Sequence, residues 1–227
     1  MNVRNTTQRN QASKTPKTPN ASVIEVFPTP IVKFRFPKHE KYFFRDIPKS
    51  EDRTPEGWNC SVNSSYPFTG ENDPYVPDEV NKRLQRDVMG SIRDVFIENG
   101  LPPVEMGAFW YNIYHEEQNQ ERHDHVSAHA NTFLSGVYYN KNATPTTFYP
   151  PSTLYRTLRF RGCEGTIIGN ATRDTYEAEV NDGDIILFPP YLEHEVKKQT
   201  SESMRLTFSF NLTTINPNSI EWITKEY

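Results

Sequence analysis

The segment MRLTFSFNL at residues 204–212 alternates strictly between apolar and polar side chains. Successive side chains of a β-strand point to opposite sides, so this pattern predicts a strand with one apolar and one polar face. The apolar face has to pack on a hydrophobic core. The polar face comprises Arg205, Thr207, Ser209 and Asn211. The polar face of such a strand borders either solvent or a polar cavity.

Short runs of the same kind fill the C-terminal half of the chain, and turn signals such as NDGD separate some of them. The predicted strands are 108–115, 133–140, 157–160, 165–169, 175–180, 184–188, 192–197 and 204–212, after one or two earlier strands within 23–36. The chain also carries 14 Phe and 12 Tyr, residues that favour strands. Many short strands predict a sandwich or a jelly-roll barrel.

One long helix is predicted over residues 78–99. Asp78 follows Pro77 as the expected N-cap, apolar residues recur at three- or four-residue spacing, and Gly100 ends the pattern. We expect its apolar stripe to pack on the core. The fold class is therefore mainly β with a flanking helix.

Residues 1–22 are polar and contain no acid, which predicts a disordered tail. Residues 23–227 are long enough for a single domain with a proper core. The net charge of -4 argues against a general nucleic-acid-binding face, and no apolar run is long enough to span a membrane. Cys60 and Cys163 do not suggest a disulfide framework, which favours a reducing, cytoplasmic compartment.

The segment ERHDHVSAH contains a His-x-His pair, His123 and His125. In an extended chain these two imidazoles point the same way while Asp124 points elsewhere. Imidazole ligands suit Fe, Zn, Cu and Ni. A solvated loop with chance histidines is the alternative. His194 follows a Pro-Pro turn in DIILFPPYLEHEV, a position expected at the mouth of a barrel.

Arg205 requires an anionic partner if the polar face of its strand lines a cavity. A guanidinium can bind both oxygens of a carboxylate, and the Thr207 hydroxyl lies two residues further on the same face. Arg205 follows His194 closely enough for one hairpin to bring both side chains to the same pocket.

In this order, the residues resemble the pattern of Fe(II)- and 2-oxoglutarate-dependent oxygenases. That pattern is a His-x-Asp/Glu pair, a distant His, and an Arg with Ser or Thr two positions later. More narrowly, the chain resembles the oxygenases of marine phages and bacteria. The resemblance extends over most of 23–212 and includes the phrases FWYNIY, LSGVYY, LFPPYLEHEV and RLTFSFN. It implies a double-stranded β-helix, the jelly-roll fold shared with cupins.

The resemblance also implies roles. The metal ligands would be His123, His125 and His194, with Arg205 and Thr207 on the distal carboxylate of 2-oxoglutarate. Asn112 and Tyr139 would contact the co-substrate, and Ser135 would share the inward face with Tyr139. Most of the superfamily has Asp or Glu where this chain has His125. Asp124 and His129 are the alternatives for the third ligand.

The implied activity is hydroxylation of a C–H bond in a peptide or small molecule, with release of succinate and CO₂. It would use Fe(II), 2-oxoglutarate and O₂, with ascorbate as an accessory. The segments 45–77 and 141–158 are long loops that could form a lid over the substrate. One alternative is a cupin-type metalloenzyme with a three-His iron site that does not use 2-oxoglutarate. The other is a non-catalytic β-sandwich binding module.

Overall fold

A computed structural model describes five segments of the chain, residues 29–47, 53–66, 75–126, 131–151 and 174–215. Several predictions fall on residues outside these segments, namely the tail 1–22, the strands 157–160 and 165–169, His129 and Cys163. They stay predictions.

The described residues form ten strands, one α-helix and one 3₁₀ helix. The strands are β1 (Val32–Arg35), β2 (Asn63–Ser64), β3 (Val104–Tyr114), β4 (Gln120–His123), β5 (Leu134–Lys141), β6 (Thr147–Phe148), β7 (Tyr176–Glu177), β8 (Asp184–Phe188), β9 (His194–Val196) and β10 (Arg205–Thr214). The helix α1 spans Asp78–Glu98, and the 3₁₀ helix spans His39–Tyr42.

Two antiparallel sheets share the strands. The six-stranded sheet has the order β1-β8-β5-β10-β3-β2, and the four-stranded sheet has the order β4-β9-β6-β7. The eight strands β3 to β10 therefore divide equally between the sheets, and the chain crosses repeatedly from one sheet to the other. This connectivity is the jelly roll, or double-stranded β-helix, that the sequence predicted.

The six-stranded sheet is covered on both faces. One face packs on α1 through a core that includes Leu84, Ile92, Phe96, Phe208 and Phe210, all fully buried. The opposite face turns toward the four-stranded sheet, where Tyr139, Ile186, Phe188 and Phe148 form a second core. Each large apolar side chain buried in this way contributes about 1.5–3 kcal/mol. The predicted alternation of β10 and the packing role of α1 are confirmed.

The helix ends where the sequence indicated, but its start differs in one detail. Asp78 is the first helical residue and its carboxylate pairs with Lys82 at 3.1 Å, so the N-cap is Pro77 without a side-chain cap. Gly100 has φ +63°, and the Leu101 N–H donates to the Phe96 carbonyl at 2.9 Å, which closes the last turn. Within the described segments, no helix combines the length and apolar character needed to cross a membrane.

Strand boundaries show what local patterns miss. The strand β4 has the sequence QERH and β6 has only two residues, so neither carries an apolar alternation that could predict it. The strand predicted over 175–180 is reduced to Tyr176–Glu177. The segments with His194 and Arg205 do not form a hairpin, because β9 and β10 belong to different sheets.

Close packing of β5 against β10 depends on a glycine, Gly136. A Cβ atom added at Gly136 would lie 2.3 Å from the ring of Phe210, which is fully buried. The Gly107 position in β3 is different, since an added Cβ there would meet the Asn211 carbonyl oxygen at 3.7 Å. Only the first glycine is required by contact with a neighbouring side chain.

We therefore expect Gly136→Ala to destabilise the protein by about 1–3 kcal/mol, because a tightly packed core accommodates an extra carbon poorly. Gly107→Ala is the matched control in a neighbouring strand and should change stability by less than about 0.5 kcal/mol. Urea unfolding followed by circular dichroism measures both. Equal stability of the two variants would contradict this account of the β5–β10 contact.

Candidate metal and co-substrate site

Two of the predicted ligands form a cross-strand pair in the four-stranded sheet. His123 ends β4 and lies directly opposite His194, the first residue of β9. Residues in such pairs have neighbouring side chains on the same face of the sheet. The two ring centroids are 4.3 Å apart. The antiparallel register of β4 and β9 thus joins residues 71 positions apart, 194 − 123 = 71.

His125 joins this pair from the segment after β4. Its backbone N–H donates to the carbonyl of Pro190 at 2.8 Å, which ties this segment to the Pro-Pro turn. The His125 ring centroid lies 5.4 Å from that of His123 and 5.2 Å from that of His194. One nitrogen from each ring can be chosen so that all three lie within 4.8 Å of one another, close enough for the three to hold one metal ion.

Asp124 does not enter the cluster. Its side chain is exposed, and its carboxylate accepts a hydrogen bond from the Val126 N–H at 2.9 Å. The structure therefore separates Asp124 from the two histidines that flank it, as the alternation predicted. His129, the other alternative, lies outside the described residues.

The hydrogen bonds of the three rings orient their free nitrogens. The Nδ1 atom of His123 lies 2.8 Å from the Glu121 carbonyl, and that of His194 lies 3.0 Å from the Leu192 carbonyl. His125 Nδ1 lies 2.8 Å from the side-chain oxygen of Asn211. A carbonyl oxygen only accepts, so each Nδ1 carries a proton, and the neutral form of such a ring has its lone pair on Nε2.

Burial keeps two of these rings neutral. It lowers the pKa of His125 to about 4, an effect that the hydrogen bond with Asn211 partly offsets. Burial together with the two neighbouring imidazoles lowers the pKa of His194 well below its usual value. Only the neutral form of a histidine can ligate a metal, so the cluster favours metal binding at neutral pH.

Arg205 is the most unusual side chain in the structure. It is only 1% exposed, and its Nε atom has no hydrogen-bond partner. No carboxylate in the described segments pairs with it. The centre of its guanidinium lies 5.2 Å from the ring of Tyr114 and 5.6 Å from that of Tyr139. Burial lowers the pKa of Arg205 and raises those of both tyrosines, so neither phenol supplies a negative charge.

One cavity joins the arginine to the histidines. Its walls come from both sheets and include the three histidines, Arg205, Thr207, Val137, Phe188 and Thr146. The cavity is apolar along one side and has a cation at one position and three imidazoles at another. An elongated ligand with a carboxylate at one end and metal-binding oxygens at the other fits this arrangement of charge.

The remaining predicted residues lie around this cavity without lining it. Asn112 is buried and donates to Ser209 at 3.1 Å while it accepts from Ser64 at 2.7 Å. The Tyr139 hydroxyl bonds that of Thr146 at 2.7 Å. Ser135 reaches the His125 ring at 2.9 Å. The structure thus brings all eight predicted residues to the same region, with Asn112, Ser135 and Tyr139 behind the wall.

Four further residues belong to the site, namely Gln120, Thr146, Asn211 and Trp110. The inward face of β10 already marked Asn211. Gln120 accepts from the Tyr114 hydroxyl at 2.8 Å, and its amide nitrogen lies 3.4 Å from His123 Nε2. Residues three apart in a regular strand face opposite sides, but the pairing of β4 shifts register between Gln120 and His123. No sequence pattern could show that shift.

An arc of aromatic rings lies beside the histidines. Trp58 stacks on Tyr66 with a centroid distance of 5.7 Å, and Tyr66 meets Trp110 edge-on at 5.1 Å. Trp58 lies 6.5 Å from the ring of His123, and Trp110 lies 6.3 Å from that of His125. Part of the predicted loop 45–77 therefore reaches the metal site.

The jelly roll, or double-stranded β-helix, therefore combines a cluster of three histidines, which could hold one metal ion, with a buried arginine in the same cavity. Residues 108–211, just under half of the chain, match the family model described as "Putative 2OG-Fe(II) oxygenase". The matched range contains every residue of the site named above except those of the aromatic arc before β3. Over this range the chain is similar to the 2-oxoglutarate- and Fe(II)-dependent oxygenases.

Solved structures are similar to the chain at low identity. A 2OG-Fe(II) oxygenase family oxidoreductase from Burkholderia pseudomallei has a TM-score of 0.37 and 12% identity over 51% of this chain and 48% of that chain, about half of its length. HygX from Streptomyces hygroscopicus with nickel and 2-oxoglutarate bound has a TM-score of 0.48 and 12% identity over 82% and 83%. A Trichoplax adhaerens prolyl hydroxylase in complex with a hypoxia inducible factor peptide has a TM-score of 0.44 and 14% identity over 75% and 68%. No curated protein sequence matches the chain.

The depressed pKa of His125 predicts how the metal-free protein responds to acid. Its pKa is 6.5 when unperturbed and about 4 in the folded protein, so the unfolded chain binds the proton more readily. The stabilising contribution is complete above pH 6.5 and is lost as the pH falls toward 4. At pH 5 the free energy of unfolding should be lower by about 2 kcal/mol from this residue alone.

His125→Gln isolates this contribution, because glutamine does not titrate. Both proteins are freed of metal with a chelator and unfolded with urea at pH 7.5 and pH 5. The free energy of unfolding should fall less between these pH values in the variant than in the wild type, since both share every other titrating group. The same loss in both proteins would exclude His125 as the source.

Proposed function

We propose that the protein is a hydroxylase whose iron is held by His123, His125 and His194 and whose 2-oxoglutarate is held by Arg205. The observation that carries this proposal is the buried Arg205 guanidinium without an anionic partner. A buried unpaired cation is strongly unfavourable, and it persists in a folded protein when a ligand supplies the missing charge.

The donor set fits Fe(II). Three imidazoles lie close enough together to bind one ion, each with its Nδ1 hydrogen-bonded to an oxygen, and imidazole is a ligand that iron accepts. Non-haem Fe(II) oxygenases commonly use two histidines and one carboxylate, whereas the described cluster contains no carboxylate. An ion at this site therefore keeps its full charge of two, and together with Arg205 it exceeds the two negative charges of 2-oxoglutarate.

The chemistry of the residues that line the cavity also suits 2-oxoglutarate. Arg205 would hold the distal carboxylate through its planar fork, and Thr207 offers a hydroxyl on the same face of β10. Val137 and Phe188 form apolar walls that exclude water from the methylene groups. The low local dielectric strengthens the ion pair.

When bound, Fe(II) with 2-oxoglutarate and O₂ supplies the oxidation, in which succinate and CO₂ are released as a substrate C–H bond is hydroxylated. The chain contributes geometry and exclusion of solvent. The β4–β9 pair would hold two of the ligands, the contact with Pro190 would hold the third, and β10 would orient the co-substrate. Ascorbate would serve only to keep the iron reduced.

The substrate is a peptide or a small molecule that approaches past the aromatic arc. Trp58 and Tyr66 are partly exposed and lie beside the His123 ring, where they would contact an apolar part of a substrate. On the other predicted lid loop, the ring centroid of Tyr149 lies 3.9 Å from the guanidinium of Arg122 in β4, which also pairs with Glu193. Trp58, Tyr66 and Tyr149, from the two predicted lid loops, are the candidates for substrate selection.

Arg205→Ala should weaken 2-oxoglutarate binding strongly, because removal of one partner of a buried pair costs about 3–5 kcal/mol, on the order of a thousandfold in the dissociation constant. Arg205→Lys keeps the charge but loses the fork and should recover only part of the affinity. The readout is the visible charge-transfer band that appears when 2-oxoglutarate is added to the Fe(II) protein without oxygen.

Arg35→Ala is the control, because Arg35 lies on an edge strand and its side chain is half exposed. It should leave the titration unchanged. A dissociation constant for Arg205→Ala within a few-fold of the wild-type value would remove Arg205 from the co-substrate site. A wild type with bound iron but no band and no succinate production would favour the three-His cupin-type enzyme that does not use 2-oxoglutarate.

His123→Ala, His125→Ala and His194→Ala should each lose stoichiometric Fe(II), since two imidazoles alone hold the ion poorly. Metal analysis after anaerobic loading and desalting gives the stoichiometry. Asp124→Ala is the matched control and should retain the metal. Retention in His125→Ala with loss in Asp124→Ala or His129→Ala would transfer the third position to that residue.

A further inference from the structure

His125 is held by a pair of side chains that the sequence does not connect with metal binding. Asn211 on β10 and Ser135 on β5 are direct cross-strand neighbours. The side-chain oxygen Oδ1 of Asn211 lies 2.8 Å from His125 Nδ1, and the Ser135 hydroxyl lies 2.9 Å from the same nitrogen. The serine and asparagine oxygens are 3.0 Å apart, so the three groups form a closed triangle.

The triangle has one consistent arrangement of protons. The Asn211 oxygen carries no proton and accepts from both neighbours. Ser135 has a single proton, and when it donates that proton to Asn211 it offers His125 only a lone pair. His125 Nδ1 must then donate, which leaves the lone pair of the neutral ring on Nε2. Ser135 is fully buried, so water does not compete for these bonds.

The oxygen atoms that accept hydrogen bonds from the three Nδ1 atoms all belong to uncharged groups. His123 and His194 donate to backbone carbonyls, and His125 donates to a side-chain amide. A carboxylate in such a position draws the imidazole proton toward itself and makes the ring a more basic ligand. An amide oxygen orients the ring without that effect.

We propose that Asn211 and Ser135 are positioning residues that hold His125 as the neutral Nδ1–H tautomer. The ring can then ligate a metal ion through Nε2 without a charged partner on Nδ1. The identity of the ion depends on the proposed function, but the tautomer does not. It exists in the metal-free chain, and its measurement is independent of oxygenase activity.

Long-range ¹H–¹⁵N correlation NMR of the full chain, chelated and at pH 7.5, distinguishes the protonated nitrogen of each histidine. The wild type should show the Nδ1–H form of His125. Asn211→Leu with Ser135→Ala should shift His125 toward Nε2–H or a mixture, because both Nδ1 partners are gone. Asn211→Asp should keep Nδ1–H, because a carboxylate still accepts. Thr213→Val, on the same face of β10, should change nothing.

Co(II) binding supplies the second readout. The double variant should bind Co(II) about 10–100-fold more weakly than the wild type, the usual effect of losing such a partner. Asn211→Asp should bind Co(II) at least as tightly as the wild type, whereas Thr213→Val should match it. These comparisons use variants whose thermal unfolding remains cooperative.

A wild-type His125 in the Nε2–H form would overturn the proposal. So would a double variant with unchanged tautomer and unchanged Co(II) affinity. Equal weakening of Co(II) binding in Asn211→Asp and in the double variant would also overturn it, because the carboxylate of Asn211→Asp still accepts a hydrogen bond from Nδ1. Failure of the proposed function would give a different result. The wild type would then show the Nδ1–H tautomer of His125 and bind metal, but 2-oxoglutarate would not change the spectrum of the Fe(II) protein.

Discussion

The position of β10 between β3 and β5 is the constraint on which the rest of the structure depends. Its backbone bonds to both neighbours, and its side chains alternate between the core under α1 and the cavity between the sheets. The apolar residues secure the strand, so the polar residues have no freedom to avoid burial. Arg205 is therefore held in the interior by the packing of Leu206 and Phe208 on the other side.

This arrangement leaves positive charge in the cavity without a balancing anion among its described residues. The described part of the cavity contains one guanidinium and three imidazoles, and no carboxylate lies among its described lining residues. Burial that lowers the pKa of His125 and His194 removes competing protons from the ligand nitrogens. The site is thus arranged for a cation at one end and for anionic groups along its length, which is the charge pattern of a metal ion chelated by a dicarboxylate.

The two sheets contribute differently to the site. The six-stranded sheet is covered on both faces and carries Arg205, Thr207, Ser135 and Asn211 on well-packed strands. The four-stranded sheet is smaller and carries His123 and His194 on strands of four and three residues. The hydrogen bonds of His125 with Asn211 in β10 and with Pro190 in the turn before β9 determine how the three histidines lie relative to Arg205.

Local sequence was sufficient for the long strands and the helix, because their apolar residues recur with a period that only one type of element satisfies. It was also sufficient to select the histidines and Arg205, since these residue types carry the chemistry wherever they lie. It could not predict β4 and β6, which are too short or too polar to show a period. It placed Asp78 one position outside the helix that it begins.

The local pattern of the sequence determined a mainly β fold, a sandwich or a jelly roll, together with the polar face of β10 and the identities of the chemical groups, because alternation and residue type are local properties. The resemblance to a family selected the jelly roll. Only the tertiary structure decided that His123 stands opposite His194, that a shift of register turns Gln120 to the same side, and that Asn211 and Ser135 hold His125. These contacts join residues far apart in the chain. They depend on strand register and on the meeting of two sheets, and neither is encoded in any single stretch of sequence.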